Sequence, residues 1–274
     1  MMDFEQGALA LVRDAYRRGA CLALLFDYDG TLVPIAEHPR MAVLTAETRR
    51  RLDRLARTPS AFVGVLSGRS IENLKQTVGL SGVCYVGTGG LELDLWGLPI
   101  THPASSDAAQ LVVSVAHRVQ RVLTGFPSAW MERKPLGLTV HYRRVTAQLI
   151  EALRTRVARA LEPFSPALHV VDGAMAIEIT PDLGWTKGSA LEMIVDRIGA
   201  NTVLPLYAGD DANDAGALSA AAVRGGVAIG IGPRAPSTAQ YHLPDPSSLG
   251  RYLDTLLEML QADAWQLPGG RKFI

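Results

Sequence analysis

Apolar residues in this chain gather in short unbroken runs, separated by longer stretches with helical spacing. Cys21-Leu22-Ala23-Leu24-Leu25-Phe26 is the first run, and it stops abruptly at Asp27. A run without polar alternation marks a strand buried on both faces, as in a parallel sheet. Ala61–Leu66 and Val83–Val86 repeat the pattern. Residues 4–19, Thr45–Arg57 and Ser70–Val78 carry the amphipathic spacing of helices, with Thr45 placed as an N-cap. The alternation of helix and buried strand predicts an α/β fold with parallel strands and right-handed crossovers.

The pattern changes near residue 101. Thr101-His102-Pro103-Ala104-Ser105-Ser106 reads as a linker. A helix over about 106–124 follows, then a strand pair around 129–144, a helix over about 146–161 and strands around 168–180. The first pattern then resumes with helix Lys187–Ile198, strand Val203–Ala208, helix Ala212–Ala222 and strand Val227–Ile231. A Pro/Ser-rich loop (233–247) and a helix over 248–261 follow. The expected organisation is a discontinuous core, residues 1–102 and 185–274, with 103–184 inserted as a smaller α+β module.

Three of the buried strands end at polar clusters: Asp27-Tyr28-Asp29-Gly30-Thr31, Ser67-Gly68-Arg69 and Gly209-Asp210-Asp211-Ala212-Asn213-Asp214. A fourth polar point, Thr186-Lys187-Gly188, opens a helix. Ligands of parallel α/β sheets bind beyond the carboxyl ends of the strands, so these clusters are expected to meet. Together they offer five aspartates, a serine hydroxyl, a lysine and free backbone N–H groups. Crowded carboxylates repel unless a hard cation sits among them, and magnesium suits carboxylates, waters and a substrate phosphate. The lysine, hydroxyl and helix N-terminal N–H groups suit phosphate oxygens. Taken singly, Asp210-Asp211 also reads as an N-cap pair, Ser67 as an N-cap and Lys187 as a solvated surface residue. Two aspartates straight after a buried strand have no such bland explanation.

The four clusters resemble the four motifs of the haloacid dehalogenase-like phosphatases. Asp27-x-Asp29-Gly30-Thr31 is similar to the first, Ser67 to the second, Lys187 to the third and Asp210-Asp211-x-x-Asp214 to the fourth. The insertion resembles the larger α+β (C2-type) cap of that superfamily, placed on its Rossmann-like parallel-sheet core. A narrower resemblance, to trehalose-6-phosphate phosphatases, covers most of the chain. It rests on Leu25 through Thr31 with Leu32, Pro34 and Ile35, on His38-Pro39, and on Val65-Leu66-Ser67-Gly68-Arg69. It also rests on Glu132-Arg133-Lys134 before Leu138-x-Val140-His141-Tyr142-Arg143, and on Glu178-Ile179-x-Pro181. Two departures stand out. The turn after the third strand reads Gly87-Thr88-Gly89-Gly90 where the family has a Gly-Ser-His-Gly-like turn. In the last motif, Asn213 and Ala215 replace a threonine and a glutamate.

The resemblance implies a magnesium-dependent sugar-phosphate phosphatase with Asp27 as nucleophile and Asp29 as general acid and base. Lys187 and Ser67 complete the catalytic set. The implied metal positions are Asp27, Asp29 through its backbone carbonyl, Asp210, Asp211 (directly or through water) and Asp214, the last also placed to orient Lys187. Thr31, Gly68 and Arg69 are expected near the substrate, with Glu92 reaching a sugar from the core side. Glu132, Lys134 and Glu178 carry the sugar-contacting positions of the cap. His141 and Arg143 alternate with Val140 and Tyr142 and so share one face. Trehalose 6-phosphate is the leading substrate. Glucosylglycerate, mannosylglycerate, glucosylglycerol and pseudo-disaccharide phosphates are the alternatives, and a phosphomutase follows them. A receiver-type signalling domain also joins aspartates, Ser/Thr and Lys on a parallel sheet. Such domains are about half this length, and their acidic pair precedes the phosphorylated aspartate.

Charge and composition narrow the partners. Twenty-seven Lys+Arg balance 27 Asp+Glu, and 48% of the 274 residues are hydrophobic. A nucleic-acid binder usually carries a basic excess, so none is expected here. Cys21 and Cys84 each begin an apolar run and read as small buried hydrophobes. The six histidines have no metal-ligand spacing. The first residues show no basic segment followed by an apolar one, so no signal peptide is expected. The run Ala20–Phe26 falls far short of the ~20 residues of a membrane helix. The expectation is a cytoplasmic monomer acting on a small-molecule sugar phosphate, without membrane or nucleic acid.

Overall fold

The computed structural model describes residues 2–173 and 175–264. The chain opens with helix α1 (Met2–Arg17), strand β1 (Cys21–Asp27), α2 (Ala46–Arg57), β2 (Ala61–Leu66), α3 (Ile71–Val78) and β3 (Cys84–Gly87). A hairpin of β4 (Glu92–Leu95) and β5 (Leu98–Thr101) follows. Next come α4 (Ser105–Leu123), β6 (Trp130–Lys134), β7 (Gly137–His141), α5 (Ala147–Leu161), β8 (Leu168–Gly173) and β9 (Ala176–Pro181). The chain then returns through α6 (Lys187–Ile198), β10 (Val203–Gly209), α7 (Ala215–Val223), β11 (Val227–Ile231), β12 (Tyr241–Leu243) and α8 (Pro246–Ala264).

Two sheets result. The larger has eight strands in the order β12-β11-β10-β1-β2-β3-β4-β5. All its pairings from β12 to β3 are parallel, and the β4–β5 hairpin is added antiparallel at one edge. β1 lies at its centre and is covered on both faces, which is why its sequence is apolar without alternation. Leu22, Leu24 and Phe26 pack with Val12, Tyr16, Leu52, Leu55, Leu253 and Leu256 on one side. Ala23 and Leu25 pack with Leu191, Ile194, Leu218 and Ala221 of α6 and α7 on the other. Helix starts are set by local hydrogen bonds. Thr45 caps α2 by accepting from Thr48 N at 3.1 Å, and Thr186 and Ser189 form a reciprocal capping box at α6.

The smaller sheet is antiparallel, in the order β6-β7-β9-β8. Here the sequence does alternate. Leu138, Val140, Ile177 and Ile179 face α4 and α5, packing on Val115, Val119, Leu153 and Val157. The intervening residues Thr139, His141 and Glu178 point away, towards the carboxyl ends of the large parallel sheet, and line the cleft between the two sheets. The arrangement is the expected α/β core with an α+β cap.

Three strands lie where the sequence pattern predicts none. β4 and β5 are four residues each, joined by Trp96-Gly97 at positive φ (55° and 92°), and Asp94 Oδ1 accepts from Gly97 N at 2.6 Å. Tryptophan is a rare turn residue, so the usual hairpin signal is missing. β12 is three residues long inside the Pro/Ser-rich loop. The expected linker shrinks accordingly, because Thr101 ends β5 and Ser105 begins α4. Cys21 and Cys84 are both free thiols; Cys84 is buried and Cys21 partly exposed. Among the described residues no helix is long and apolar enough to cross a membrane.

Candidate active site

The ends of three strands and the start of one helix bring the site together. Asp27 is the last residue of β1, Ser67 follows β2, Lys187 is the first residue of α6, and Asp210 follows β10. Because β2, β1 and β10 are adjacent and parallel, their carboxyl ends open on the same edge. Lys187 is fully buried, and its Nζ donates to Asp27 Oδ1 at 2.6 Å, Asp214 Oδ1 at 2.7 Å and Asn213 Oδ1 at 3.3 Å. Its three protons therefore each have an acceptor. Burial works against the lysine's charge, but Asp214 and Asp27 outweigh it and hold the ammonium protonated, its pKa raised.

Asp214 is the hub of the floor. Its Oδ1 also accepts from Tyr207 OH at 2.6 Å, and its Oδ2 accepts from the N–H groups of Asp210 and Asp211 at 3.0 and 3.1 Å. Both oxygens are thus engaged, which suits a group that orients Lys187. Asp27 and Asp210 keep less-engaged oxygens. Asp27, Asp210 and Asp214 each present an oxygen within 4.8 Å of the others. Burial pushes Asp27 well above the usual carboxylate range, with Lys187 opposing it. Burial and then the Asp214 charge push Asp210 up to about 7, against Arg234. Asp211 is raised chiefly by burial. Closely set, buried carboxylate oxygens are a donor set that fits a hard divalent cation. The close approach depends on Gly30, at φ +93°, where a Cβ would fall 2.2 Å from Asp210 Oδ2.

Asp29 is held differently. Arg69 grips it with two parallel hydrogen bonds, Nε to Oδ2 and Nη2 to Oδ1, both 2.7 Å. The guanidinium also donates to Pro39 O at 2.8 Å and Asn73 Oδ1 at 3.0 Å, and lies over the Tyr28 ring. Arg69 is thereby committed to placing Asp29, with little capacity left for a ligand. Ser67 is buried at the cleft, and its Oγ accepts from Arg69 N at 3.2 Å. The turn after β3 supports this loop from below: Gly89 N donates to Ser67 O at 3.0 Å and Thr88 N to Arg69 O at 2.6 Å. Residues 87–90 do not line the cleft, so their departure from the family pattern falls on the support of the loop.

The cap supplies the opposite wall. Glu132, Thr139 and Glu178 stand in register across β6, β7 and β9. Glu132 Oε2 pairs with His141 Nε2 at 2.9 Å, and Lys134 Nζ donates to Thr139 Oγ1 at 2.7 Å. Burial pushes the Glu132 carboxyl up, but the His141 bond and Lys134 more than reverse it, so it is held below its usual range. Glu178 Oε2 accepts from Asn213 Nδ2 at 3.2 Å. At the rim, Trp130 is stacked between His38 of the core and His141 of the cap, with ring centroids 4.8 and 4.1 Å away. Arg143 reaches across to Ala36 O.

Of the expected residues, Asp27, Asp29, Ser67, Gly68, Arg69, Glu132, Lys134, Glu178, Asp210 and Asp211 line one cleft. Lys187 lies directly beneath it, joined to Asp27, and Asp214 is joined in turn to Lys187. Two do not reach it. Thr31 is fully buried, with no partner for its Oγ1 among the described residues. Glu92 is tied to Thr88 Oγ1 beyond the cleft. Sequence reasoning missed Trp130, Tyr207 and Arg234. Arg234 Nη2 lies 2.6 Å from Asp210 Oδ2 and 3.5 Å from Asp211 Oδ2. A signal was there to be read: Arg234 stands three residues past a buried parallel strand, where such sheets bind ligands.

Comparison with known proteins agrees with this geometry. The trehalose-phosphatase family model matches residues 25–247. Trehalose-phosphate phosphatase B of Arabidopsis thaliana is 30% identical over 88% of this chain, and the trehalose-phosphate phosphatase of Mycolicibacterium paratuberculosis is 33% identical over 87%. The chain spans 67% and 63% of the lengths of these two relatives. Among solved structures, the C-terminal domain of Candida albicans trehalose-6-phosphate phosphatase superposes with a TM-score of 0.81, at 23% identity, covering 91% of this chain and 96% of that one. A trehalose-6-phosphate phosphatase related protein gives 0.73 at 23% identity, covering 86% of this chain and 97% of its own. At that identity the structures speak for the fold. With the family model matching most of its length, this chain belongs to the trehalose-phosphatase family.

Proposed function

We propose that this chain hydrolyses trehalose 6-phosphate to trehalose and phosphate, with magnesium as its metal and an aspartyl-phosphate on Asp27 as the intermediate. The observation that carries the reading is the 2.6 Å bond from buried Lys187 to Asp27 at the floor of a cleft walled by Glu132, Lys134 and Glu178. Asp27 attacks phosphorus, and the bond to the sugar oxygen breaks as the new bond forms. A carboxylate approaching a phosphate dianion meets like charge, and Lys187 offsets that repulsion. On substrate binding Asp29 gives up one of its two bonds to Arg69, takes up a proton from solvent and passes it to the departing sugar oxygen. It then takes a proton from the water that cleaves the acyl-phosphate. Ser67 Oγ and Gly68 N–H receive the phosphate oxygens as charge moves among them. Magnesium would be held by Asp27, Asp210 and the Asp29 carbonyl, with Asp211 directly or through water, and would neutralise charge on the phosphoryl group.

The segment 103–184 serves in this reading as the cap that recognises the sugar. Carboxylates such as Glu132 and Glu178 accept from vicinal hydroxyls, and Lys134 donates to a hydroxyl or the phosphate. The test is phosphate release from trehalose 6-phosphate, glucose 6-phosphate and glucosylglycerol phosphates, each with magnesium and with chelator. The expected result is strong preference for trehalose 6-phosphate, silenced by chelation and restored by magnesium. Comparable rates on all esters would discard the disaccharide substrate, and full activity in a rigorously metal-free sample would discard the metal.

A further inference from the structure

Asn213 stands where the cap meets the floor of the core. Its Oδ1 accepts from Lys187 Nζ at 3.3 Å, and its Nδ2 donates to Glu178 Oε2 at 3.2 Å. One amide thus links a cap carboxylate to the buried lysine that holds Asp27. The other oxygen of Glu178 is turned to the Ser67-Gly68 loop: a Cβ on Gly68 would fall 2.7 Å from Glu178 Oε1. Glu178 can hang over that loop because residue 68 has no side chain, and the bond from Asn213 holds the carboxylate there. Position 213 is one of the two departures from the family's last motif, which has threonine there. An asparagine carries an acceptor and two donors on one planar group, while a threonine hydroxyl is shorter and has one proton to give. Serving Lys187 and Glu178 together calls for the amide.

We infer that Asn213 is a positioning residue that aligns Glu178 with the Lys187–Asp27 pair, so that a substrate engaging the cap also meets a correctly set floor. The inference rests on the phosphatase reading for its catalytic consequence but not for the contact itself. Asn213→Asp is the informative substitution. It keeps the acceptor facing Lys187 and turns the donor into an oxygen facing a carboxylate. A second substitution, Glu178→Gln, reverses the pair, because the glutamine amide then donates to the carboxylate introduced at position 213 and leaves its carbonyl towards Gly68.

Two measurements decide it. In thermal melting without substrate, Asn213→Asp should lower Tm by about 2–4 °C, and adding Glu178→Gln should return most of it. In turnover, Asn213→Asp should lower kcat/KM on trehalose 6-phosphate by about 10- to 100-fold and on p-nitrophenyl phosphate by several-fold less, because the introduced charge also faces Lys187. The double variant should exceed Asn213→Asp alone on the sugar phosphate. Additive melting effects would show that the two side chains do not act on one another and would overturn the inference. Equal losses on both esters would also overturn it, by confining Asn213 to Lys187. A wild-type enzyme inert towards sugar phosphates would remove the phosphatase reading, yet the melting cycle would still decide the link.

Discussion

On the core floor, Lys187 and Asp27 are 1% and 4% exposed and lie 160 positions apart in the chain. On the cap wall, the side chains of Glu132 and His141 are 28% and 20% exposed and nine positions apart, on adjacent strands. The floor is assembled from distant segments and sealed from water, with Lys187 and Asp214 fully bonded and one oxygen each of Asp27 and Asp210 less engaged. The wall is one small sheet whose polar face pairs partly with itself, at Glu132–His141 and Lys134–Thr139, through bonds that a ligand can exchange. A sealed, preorganised set of charges suits chemistry, because its fields are weakly screened and need no rearrangement as charge moves. A partly exposed set of exchangeable hydrogen bonds suits recognition, because hydroxyls can replace the resident partners at modest cost. The two regions thus predict different responses to substitution.

The largest effect falls on the floor. Asp27→Asn should reduce turnover of every phosphate ester by at least about a thousandfold, because an amide does not form the acyl-phosphate. The fold should persist, since Lys187 keeps its bond to Asp214; an unchanged circular dichroism spectrum checks this. Substantial residual turnover would mean that water attacks phosphorus directly. The smaller effect falls on the wall. Glu132→Ala removes a cap carboxylate that lies away from the reacting atoms. It should lower kcat/KM on the sugar phosphate by roughly 10- to 150-fold and leave p-nitrophenyl phosphate nearly unchanged. Equal losses on the two substrates would erase the distinction between the regions.

The same contrast marks what could be read from sequence. The floor was legible because its residues terminate unbroken apolar runs. Asp27 ends β1 and Ser67 follows β2, while the Thr186–Ser189 capping box fixes the start of α6 at Lys187. The wall was half legible: the alternation of Val140 and Tyr142 with His141 and Arg143 gave one shared face, and only the packed sheet gives its direction, towards the cleft. Contacts between segments far apart in the chain were not legible. Trp130 between His38 and His141 depends on how the cap sits on the core; the place of Arg234 just after β11 marks it as near the site, but its pairing with Asp210 depends on how two loops of the core meet. Thr31 and Glu92 mislead for the opposite reason. Thr31 lies two positions past Asp29 but is turned into the interior, and Glu92 lies two positions past the turn after β3 but its carboxylate is tied to the Thr88 hydroxyl.

In the proposed mechanism the floor does covalent chemistry at Asp27, and Asp29→Asn tests that proposal most directly. With p-nitrophenyl phosphate the leaving group needs no proton, so the first step should proceed while hydrolysis of the intermediate, deprived of its base, slows. Rapid mixing should show a burst of about one nitrophenolate per enzyme, followed by slow release. Mass spectrometry of the quenched protein should find one phosphoryl group on the peptide carrying Asp27. Linear release without a burst, and an unmodified Asp27 peptide, would contradict the account.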